Sequence, residues 1–300
     1  MQELPTKLRD IISLREGCRP FVVAEAGINY DGELDKALAL VEAAARAGCD
    51  AIKFQIFDAR MMYDEPEATF FRRFELAPEQ WAFIAHFAEQ RGILFMATPD
   101  ELESAKLIAE LSPVIKIGSA DLRDKEFLYQ VAQLNRHMII STGAATDGEI
   151  GEVAKLMAFE PHMFLHCTSS YPANLDTLNL GAIRTMGQRY NVAVGWSDHT
   201  TGVMSRALHM ALGAGARVFE KHFTLWAEGK SPDHKMSICG ASQMASYVQA
   251  IILACDVLGS GVREVQDCEK TTRAKGEQFM RKRAYNAVID RHLRQFEQSS

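Results

Sequence analysis

Short apolar runs alternate along the chain with longer stretches in which apolar residues return every third or fourth position. The runs cover residues 21–26, 51–55, 93–97, 114–118, 137–141, 163–167, 192–196 and 217–221. They are nearly continuous rather than alternating, which is the pattern of parallel strands buried on both faces. The amphipathic stretches cover residues 34–47, 78–91, 102–111, 125–135, 147–159, 180–190, 203–213 and 241–258. Pro78 suits a first helical position, where its missing N–H costs nothing. Thr146 and Glu149 have the spacing of a capping box. Eight strand-then-helix units predict an α/β protein, a (β/α)8 or TIM barrel.

The predicted barrel spans residues 21–268. Residues 1–20 are expected to pack on it as an N-terminal extension, and residues 269–300 to form a charged tail. A basic cluster in that tail, Arg281-Lys282-Arg283, reads as solvated or as part of a subunit interface. Two connections, residues 57–77 and 224–240, are long for loops that follow a strand. The first is expected to be irregular. On this side of a barrel, such segments cover or line a site.

Composition narrows the function classes. A hydrophobic content of 47% supports a large core, and a formal net charge of −6 argues against a nucleic-acid or anionic-membrane binder. Lys7, Arg9, Asp10, Arg15 and Glu16 interrupt the N-terminus, which contains neither a signal-peptide core nor a membrane span. Six cysteines are scattered without a CxxC pair. They read as reduced thiols in the cytoplasm. A homodimer is left open.

In a barrel, chemistry belongs at the C-terminal ends of the strands, and each predicted strand delivers polar residues there. The first ends in Glu25, followed by Asn29. The second carries Lys53 and Gln55 on one face, the third is followed by Thr98, and the fourth holds Lys116 before Ser119 and Asp121. The fifth ends in Ser141, and the sixth leads into His166, Thr168, Ser169 and Tyr171. The seventh leads into Ser197, Asp198 and His199, and the eighth supplies Glu220 and His222. Lys53 and Lys116 sit inside apolar runs, where an unpaired ammonium is costly. With the hydroxyls around them they can cradle a phosphate or carboxylate. Two histidines at adjacent strand ends, with Glu25, Glu220 and Asp233 nearby in the pattern, suit a divalent first-row metal.

The ordered segments Ala24-Glu-Ala-Gly-Ile-Asn-Tyr-Asp-Gly32, Ile52-Lys-Phe-Gln55, Ala97-Thr-Pro99, Ile115-Lys-Ile-Gly-Ser119, Ser141-Thr-Gly143, Leu165-His-Cys-Thr-Ser-Ser-Tyr-Pro172, Gly195-Trp-Ser-Asp-His-Thr200, Glu220-Lys-His-Phe-Thr224 and Pro232-Asp-His234 resemble the sialic acid synthase family. The resemblance runs over residues 21–270. It implies a metal-dependent barrel that condenses phosphoenolpyruvate with an open-chain N-acyl amino sugar, giving a 2-keto-3-deoxy sugar acid and phosphate. It implies that His199 and His222 hold Mn2+ or Mg2+. Lys53, Thr98, Lys116, Ser119, Ser141 and Ser197 would hold phosphoenolpyruvate, and Gln55, Tyr171 and Asp233 would face the sugar, with Ser169 grouped among the substrate-binding residues. Glu25 and Glu220 would manage protons and the attacking water.

Family members usually have Asn-His where this chain has Asn29-Tyr30. They also usually carry a C-terminal antifreeze-like domain that supplies an arginine to the sugar, and this domain is expected to be absent here. Arg60, Arg72 and Arg73 are then the candidate replacements, unless the acceptor differs or the chain is a truncation. Two further readings stay open: a 3-deoxy-ulosonate synthase for a different or phosphorylated aldose, and a catalytically silent barrel that binds a ligand or partner.

Overall fold

Eight parallel strands form the centre of the molecule: β1 Phe21–Gly27, β2 Ala51–Ile56, β3 Leu94–Pro99, β4 Val114–Ile117, β5 His137–Ser141, β6 His162–His166, β7 Val194–Asp198 and β8 Val218–Thr224. The structure is a computed structural model and describes residues 3–282 except residues 16, 18, 204 and 205, with side chains to residue 280. The side chains of the Arg281-Lys282-Arg283 cluster, most of the expected tail, and Cys18 therefore lie outside the described residues. The other five cysteines are unpaired.

Ladders join the strands in the order β3-β2-β1-β8-β7-β6-β5-β4. The two ends of that path, β3 and β4, lie side by side, so the barrel is nearly closed. Ser112 bridges them: its hydroxyl donates to the Phe95 carbonyl at 2.8 Å and accepts from the Val114 N–H at 3.2 Å. The helices are α1 Thr6–Ile12, α2 Leu34–Arg46, α3 Ala59–Met62, α4 Glu67–Phe71, α5 Pro78–Gln90, α6 Leu102–Leu111, α7 Lys125–Ala132, α8 Asp147–Leu156, α9 Gly181–Tyr190, α10 Arg206–Ala214, α11 Ala241–Leu258 and α12 Lys270–Lys282. A two-residue strand, β9 Ile238–Cys239, pairs with the end of β8. The chain divides into two units, Met1–Gly259 and Ser260–Ser300. The first holds the barrel. In the second, Gln266 and Glu269 cap the 3-10 turn Asp267–Glu269 that precedes α12, the Gln266 N–H donating to Glu269 at 2.9 Å.

Most element boundaries follow the hydrophobic pattern, with three differences. The β7 strand starts later than expected and β8 runs on to Thr224, so Ser197, Asp198 and His222 belong to strands. Their polarity hides them from a hydrophobicity reading, yet each finds a partner or a cavity. The 57–77 connection is not irregular, since it folds into α3, α4 and a 3-10 turn at Arg72–Phe74. Finally, the N-terminal extension contains a helix, α1, that the hydrophobic pattern does not set apart.

Side-chain alternation divides the barrel into layers. Phe21, Val23, Ala51, Leu94, Met96, Val114, Ile139, Met163, Leu165 and Val218 fill the interior nearer the N-terminal ends of the strands, and Leu8 and Ile11 of α1 join them as a plug. The opposite faces of the same strands, including Val22, Ile52, Phe54, Phe95, Ile115, Ile140, Phe164 and Phe219, pack against the helices. Each such fully buried large side chain contributes roughly 1.5–3 kcal/mol. Among the described residues, α11 alone has the length and hydropathy of a membrane span. Its Met244, Tyr247, Val248 and Ile251 are buried in the core.

One polar cluster lies within this helix-facing layer. Asp198 and Lys221 are both fully buried, with Nζ 3.2 Å from Oδ2. Asp198 Oδ1 accepts from the Thr200 N–H at 2.8 Å and the Thr200 hydroxyl at 2.7 Å. Lys221 also donates to the Thr200 carbonyl, and the Tyr247 hydroxyl of α11 donates to Asp198 at 3.3 Å. The expectation that Asp198 serves the mouth of the barrel is thereby corrected. In a strand, neighbours point to opposite faces, so Ser197 faces inward and Asp198 outward. Removing one partner of a buried pair leaves an uncompensated charge. Asp198→Ala is therefore expected to destabilise the fold by about 3–5 kcal/mol in urea denaturation. The paired change Asp198→Leu with Lys221→Met should restore at least half of that loss.

Candidate active site

Above the apolar layers, the inward-facing side chains turn polar within a single residue step on nearly every strand. Glu25, Lys53, Thr98, Lys116, Ser141, Ser197, Glu220 and His222 are all buried. They line a cavity of about 410 Å³ at the C-terminal mouth, together with Gln55, Ser119, Tyr171, His199 and Asp233. Of the catalytic, substrate-binding and metal-holding residues that the resemblance implies, Ser169 alone does not line it; Ser169 is exposed beside Tyr171 and hydrogen-bonds to it. His166 is also turned away, with Nε2 2.7 Å from the Leu178 carbonyl.

The floor is a charged set on three consecutive strands. Lys53 Nζ lies 2.5 Å from Glu25 Oε2 and 3.6 Å from Glu220 Oε2, and donates to the Thr98 hydroxyl at 3.0 Å. Glu220 Oε1 accepts from the Ser197 hydroxyl at 2.8 Å. Lys116 Nζ donates to the Ser141 hydroxyl at 2.5 Å and to its neighbour's carbonyl, on Ile117, at 2.9 Å. Ser119 completes this side, accepting from the Gly143 N–H at 3.2 Å.

The two carboxyls titrate far apart. Burial pushes Glu25 up to about 8, against the pull of Lys53 and helped by Glu220 and Asp233. Burial also works to raise Glu220, but Lys53 and Lys116, with the Ser197 hydroxyl and His222, bring it down to about 2. Burial works against the charge on Lys53, and the two carboxylates outweigh it, raising the ammonium to about 12. Burial lowers Lys116, partly offset by Glu220. At neutral pH the floor therefore holds a protonated Glu25 and an ionised Glu220. Two neighbouring carboxyls held on opposite sides of neutrality can divide the roles of proton carrier and fixed charge.

His199 and His222 stand beside this floor, with ring centroids 5.5 Å apart. Tyr171 packs on the His199 ring at 4.4 Å. The Thr168 carbonyl lies 2.8 Å from His199 Nδ1. A carbonyl only accepts, so Nδ1 carries the proton and Nε2 presents its lone pair. His222 Nδ1 is buried with no protein partner. Burial keeps both rings neutral, and for His222 the neighbouring His199 and Lys53 add to the effect. Two neutral imidazoles, one held by a backbone carbonyl and the other with an orphaned nitrogen, fit a divalent cation. Among the described residues there is no ligating group of three or more His, Cys, Asp or Glu. Water or substrate would have to supply the remaining ligands.

Asp233 enters from the 3-10 turn Pro232–Met236, which is tied to the end of β1. Asn29 donates to the Phe223 carbonyl at 3.0 Å and to Ser237 Oγ at 2.9 Å. Asp233 also accepts from the Ile28 N–H, its Oδ2 is buried without a partner, and burial pushes it up to about 6. Gly27 makes the approach possible. Its φ of +53° is left-handed, and a β-carbon there would strike the Asp233 carboxylate.

Sequence reasoning missed the apolar wall: Ile28, Tyr63, Phe71, Pro232 and Met236 also line the cavity. The rings of the 57–77 segment were readable there as an aromatic-rich stretch, but nothing in their spacing shows which of them turn inward. The candidate arginines do not line the cavity. Arg60 pairs with Asp58 at 2.7 Å, Arg72 with Glu65 at 3.6 Å, and Arg73 donates to the Phe70 carbonyl at 2.8 Å. Each finds its partner within its own segment. Tyr30 is a fully buried core residue. Its hydroxyl donates to the Phe74 carbonyl, and its ring packs edge-on against Phe54 and Trp81.

The Glu25 shift has a measurable consequence. Its folded-state value lies above the ordinary 4.5, so between about pH 4.5 and 8 the native state keeps a proton that the unfolded chain has released. Stability from this group is full below that window and is lost as pH rises through it. Thermal melts across the window should fall less steeply for Glu25→Gln than for the parent protein. Equal slopes would refute the assignment.

Comparison with known proteins agrees with the geometry. Residues 40–263 match the NeuB family model. The N,N'-diacetyllegionaminic acid synthase of Campylobacter jejuni is 32% identical over 274 residues, 84% of this chain and 81% of that protein. The enzyme of the same description from Legionella pneumophila is 34% identical over 280 residues, 85% of this chain and 77% of that protein. The crystal structure of the N-acetylneuraminic acid synthetase of Leptospira borgpetersenii, in complex with citrate, superposes with a TM-score of 0.81 at 28% identity, covering 90% of this chain and 93% of that one. The chain belongs to the NeuB family, whose members here are sialic-acid-type synthases.

Proposed function

We propose that this protein condenses phosphoenolpyruvate with an open-chain sugar aldehyde, forming a sialic-acid-like 2-keto-3-deoxy acid and releasing phosphate. The observation that carries this reading is the barrel floor, where two buried lysines and a ring of hydroxyls lie beside carboxyls that titrate apart and a pair of neutral histidines. Lys53 and Lys116, with Thr98, Ser119, Ser141 and Ser197, would hold the phosphate and carboxylate of phosphoenolpyruvate. Charge-assisted bonds of this type are the strong ones, and in a buried site they need no reorganisation during reaction.

His199 and His222 would hold Mn2+ or Mg2+, which when bound supplies Lewis acidity toward the aldehyde oxygen. The chain's own groups do the rest. Gln55, Tyr171 and Asp233 orient the sugar. As C3 of phosphoenolpyruvate bonds to the aldehyde carbon, the protonated Glu25 gives its proton to the oxygen. The ionised Glu220, fixed by Lys53 and Ser197, stabilises the positive charge that develops at C2. Water then adds to C2 and its proton returns to Glu25. The tetrahedral centre collapses to the ketone as the C2–O bond to phosphate breaks, and the hydroxyl proton leaves with the phosphate. One water is consumed and Glu25 is restored.

A cytoplasmic location accompanies this reading, in line with cysteines scattered without a CxxC pair.

Phosphate release from phosphoenolpyruvate should require both an aldose and a divalent cation. If no aldose in a broad panel releases phosphate from a Mn2+-loaded sample, the reading is overturned. Lys116→Met is expected to weaken phosphoenolpyruvate binding on the order of 100-fold in calorimetry. His199→Ala combined with His222→Ala should remove the bound Mn2+ seen by equilibrium dialysis, and unchanged metal content would reject the two histidines as ligands.

A further inference from the structure

The cavity has two chemical ends. Its floor is cationic and hydroxylated, whereas its outer wall is apolar and partly aromatic. The aromatic part comes from the segment between β2 and α5. Tyr63 and Phe71 stack face to face, with centroids 4.1 Å apart and planes within 10°. Phe71 meets Phe57 edge-on at 6.2 Å and Phe70 at 5.1 Å, and Phe70 meets Phe74 at 5.6 Å. Polar bonds hold the segment at both ends. The Ala59 N–H donates to Glu75 Oε1 at 2.8 Å, and Tyr30 holds the Phe74 carbonyl. The ring pair is therefore a preorganised surface, which loses little conformational freedom when a ligand lies on it.

Charge on this side runs against an anion. Among the described residues, Lys53 and Lys116 are the lysines and arginines that line the cavity, and both belong to the floor. The three arginines of the 57–77 segment are engaged elsewhere, as described above. At the wall, the carboxyls that act on Tyr63 are Asp100, Glu67 and Asp233, of which Asp233 lies in the lining. A phosphate on the acceptor would find apolar ring surface and a carboxyl, with no partner for its charge.

We propose that Tyr63 and Phe71 are specificity-determining residues. They receive an apolar substituent of the acceptor, an acyl methyl or a deoxy carbon, and so select acceptors bearing one over hydroxylated or phosphorylated aldoses. This inference rests on the condensation reading, and binding without turnover separates the two. One methyl group in an apolar pocket discriminates by about 10-fold or more.

The test is calorimetric titration of the protein, saturated with Mn2+ and phosphoenolpyruvate, with unreactive reduced sugars: mannitol and its 2-acetamido, 6-deoxy and 6-phosphate counterparts. The first titration, of phosphoenolpyruvate itself, reports on the floor, and its failure would count against the condensation reading. The acetamido or the deoxy probe should bind at least about 10-fold more tightly than mannitol, and the phosphorylated probe more weakly than mannitol. Tyr63→Ala should reduce that preference to about 2-fold while leaving phosphoenolpyruvate affinity unchanged. Phe71→Leu, which keeps apolar volume and the packing of the segment, should reduce it part-way. Equal binding of all four probes, tighter binding of the phosphorylated one, no binding of any, or a preference that survives in Tyr63→Ala would each overturn the proposal.

Discussion

The placement of Lys53 between Glu25 and Glu220 is the constraint on which the rest of this molecule depends. The three residues occupy adjacent strands, β2, β1 and β8: Glu25 lies beside Lys53 in one ladder and beside His222 in the other, and Glu220 lies two residues earlier on β8, opposite Val23. A lone ammonium at that depth would cost several kcal/mol, and so would either carboxylate. Together they are tolerable, but only if the strands close into a barrel. The set is also incomplete: Glu25 Oε1, Asp233 Oδ2 and His222 Nδ1 are buried without partners. Groups left unsatisfied in this way are the cost of a site that waits for a ligand.

A second buried pair lies back to back with the first. Lys221 and Asp198 alternate along their strands with Glu220, His222, Ser197 and His199. The inward residues form the site, and the outward ones tie β7 and β8 to each other and to Tyr247 of α11. Polar partners on both faces fix the register of these strands. A slip by one residue would exchange site residues for brace residues and bury unmatched charge on both sides.

Function follows from asymmetry within one cavity. The floor concentrates positive charge and hydroxyls on the barrel strands. The wall is supplied by the connection after β2 and by the turn that carries Asp233, both pinned to the barrel by hydrogen bonds. The groups proposed to carry the chemistry are thus placed on strands, while those proposed to select the acceptor are placed on connecting segments. Barrels accommodate variation in this way, because a connection can change without disturbing the register beneath it.

The eight barrel strands, the eight helices that follow them and the sites of Lys53, Lys116, Glu25 and the two histidines were legible in the one-dimensional pattern, whereas α1, α3, α4 and α12 were not. Parallel strands buried on both faces leave continuous apolar runs, so a charge within such a run stands out. Three further features were not legible. The facing of Asp198 and Lys221 depends on where β7 and β8 end, and polar strand ends look like loop. Whether Arg60, Arg72 and Arg73 or Tyr63 and Phe71 turn toward the cavity depends on how α3 and α4 fold back on the barrel. The opposite protonation of Glu25 and Glu220 depends on their distances from two lysines that lie far from Glu220 in sequence. Hydrophobic periodicity is a local property that survives in the chain itself. Facing, ionisation and the meeting of distant side chains arise only when closure of the barrel removes water and sets the distances between charges.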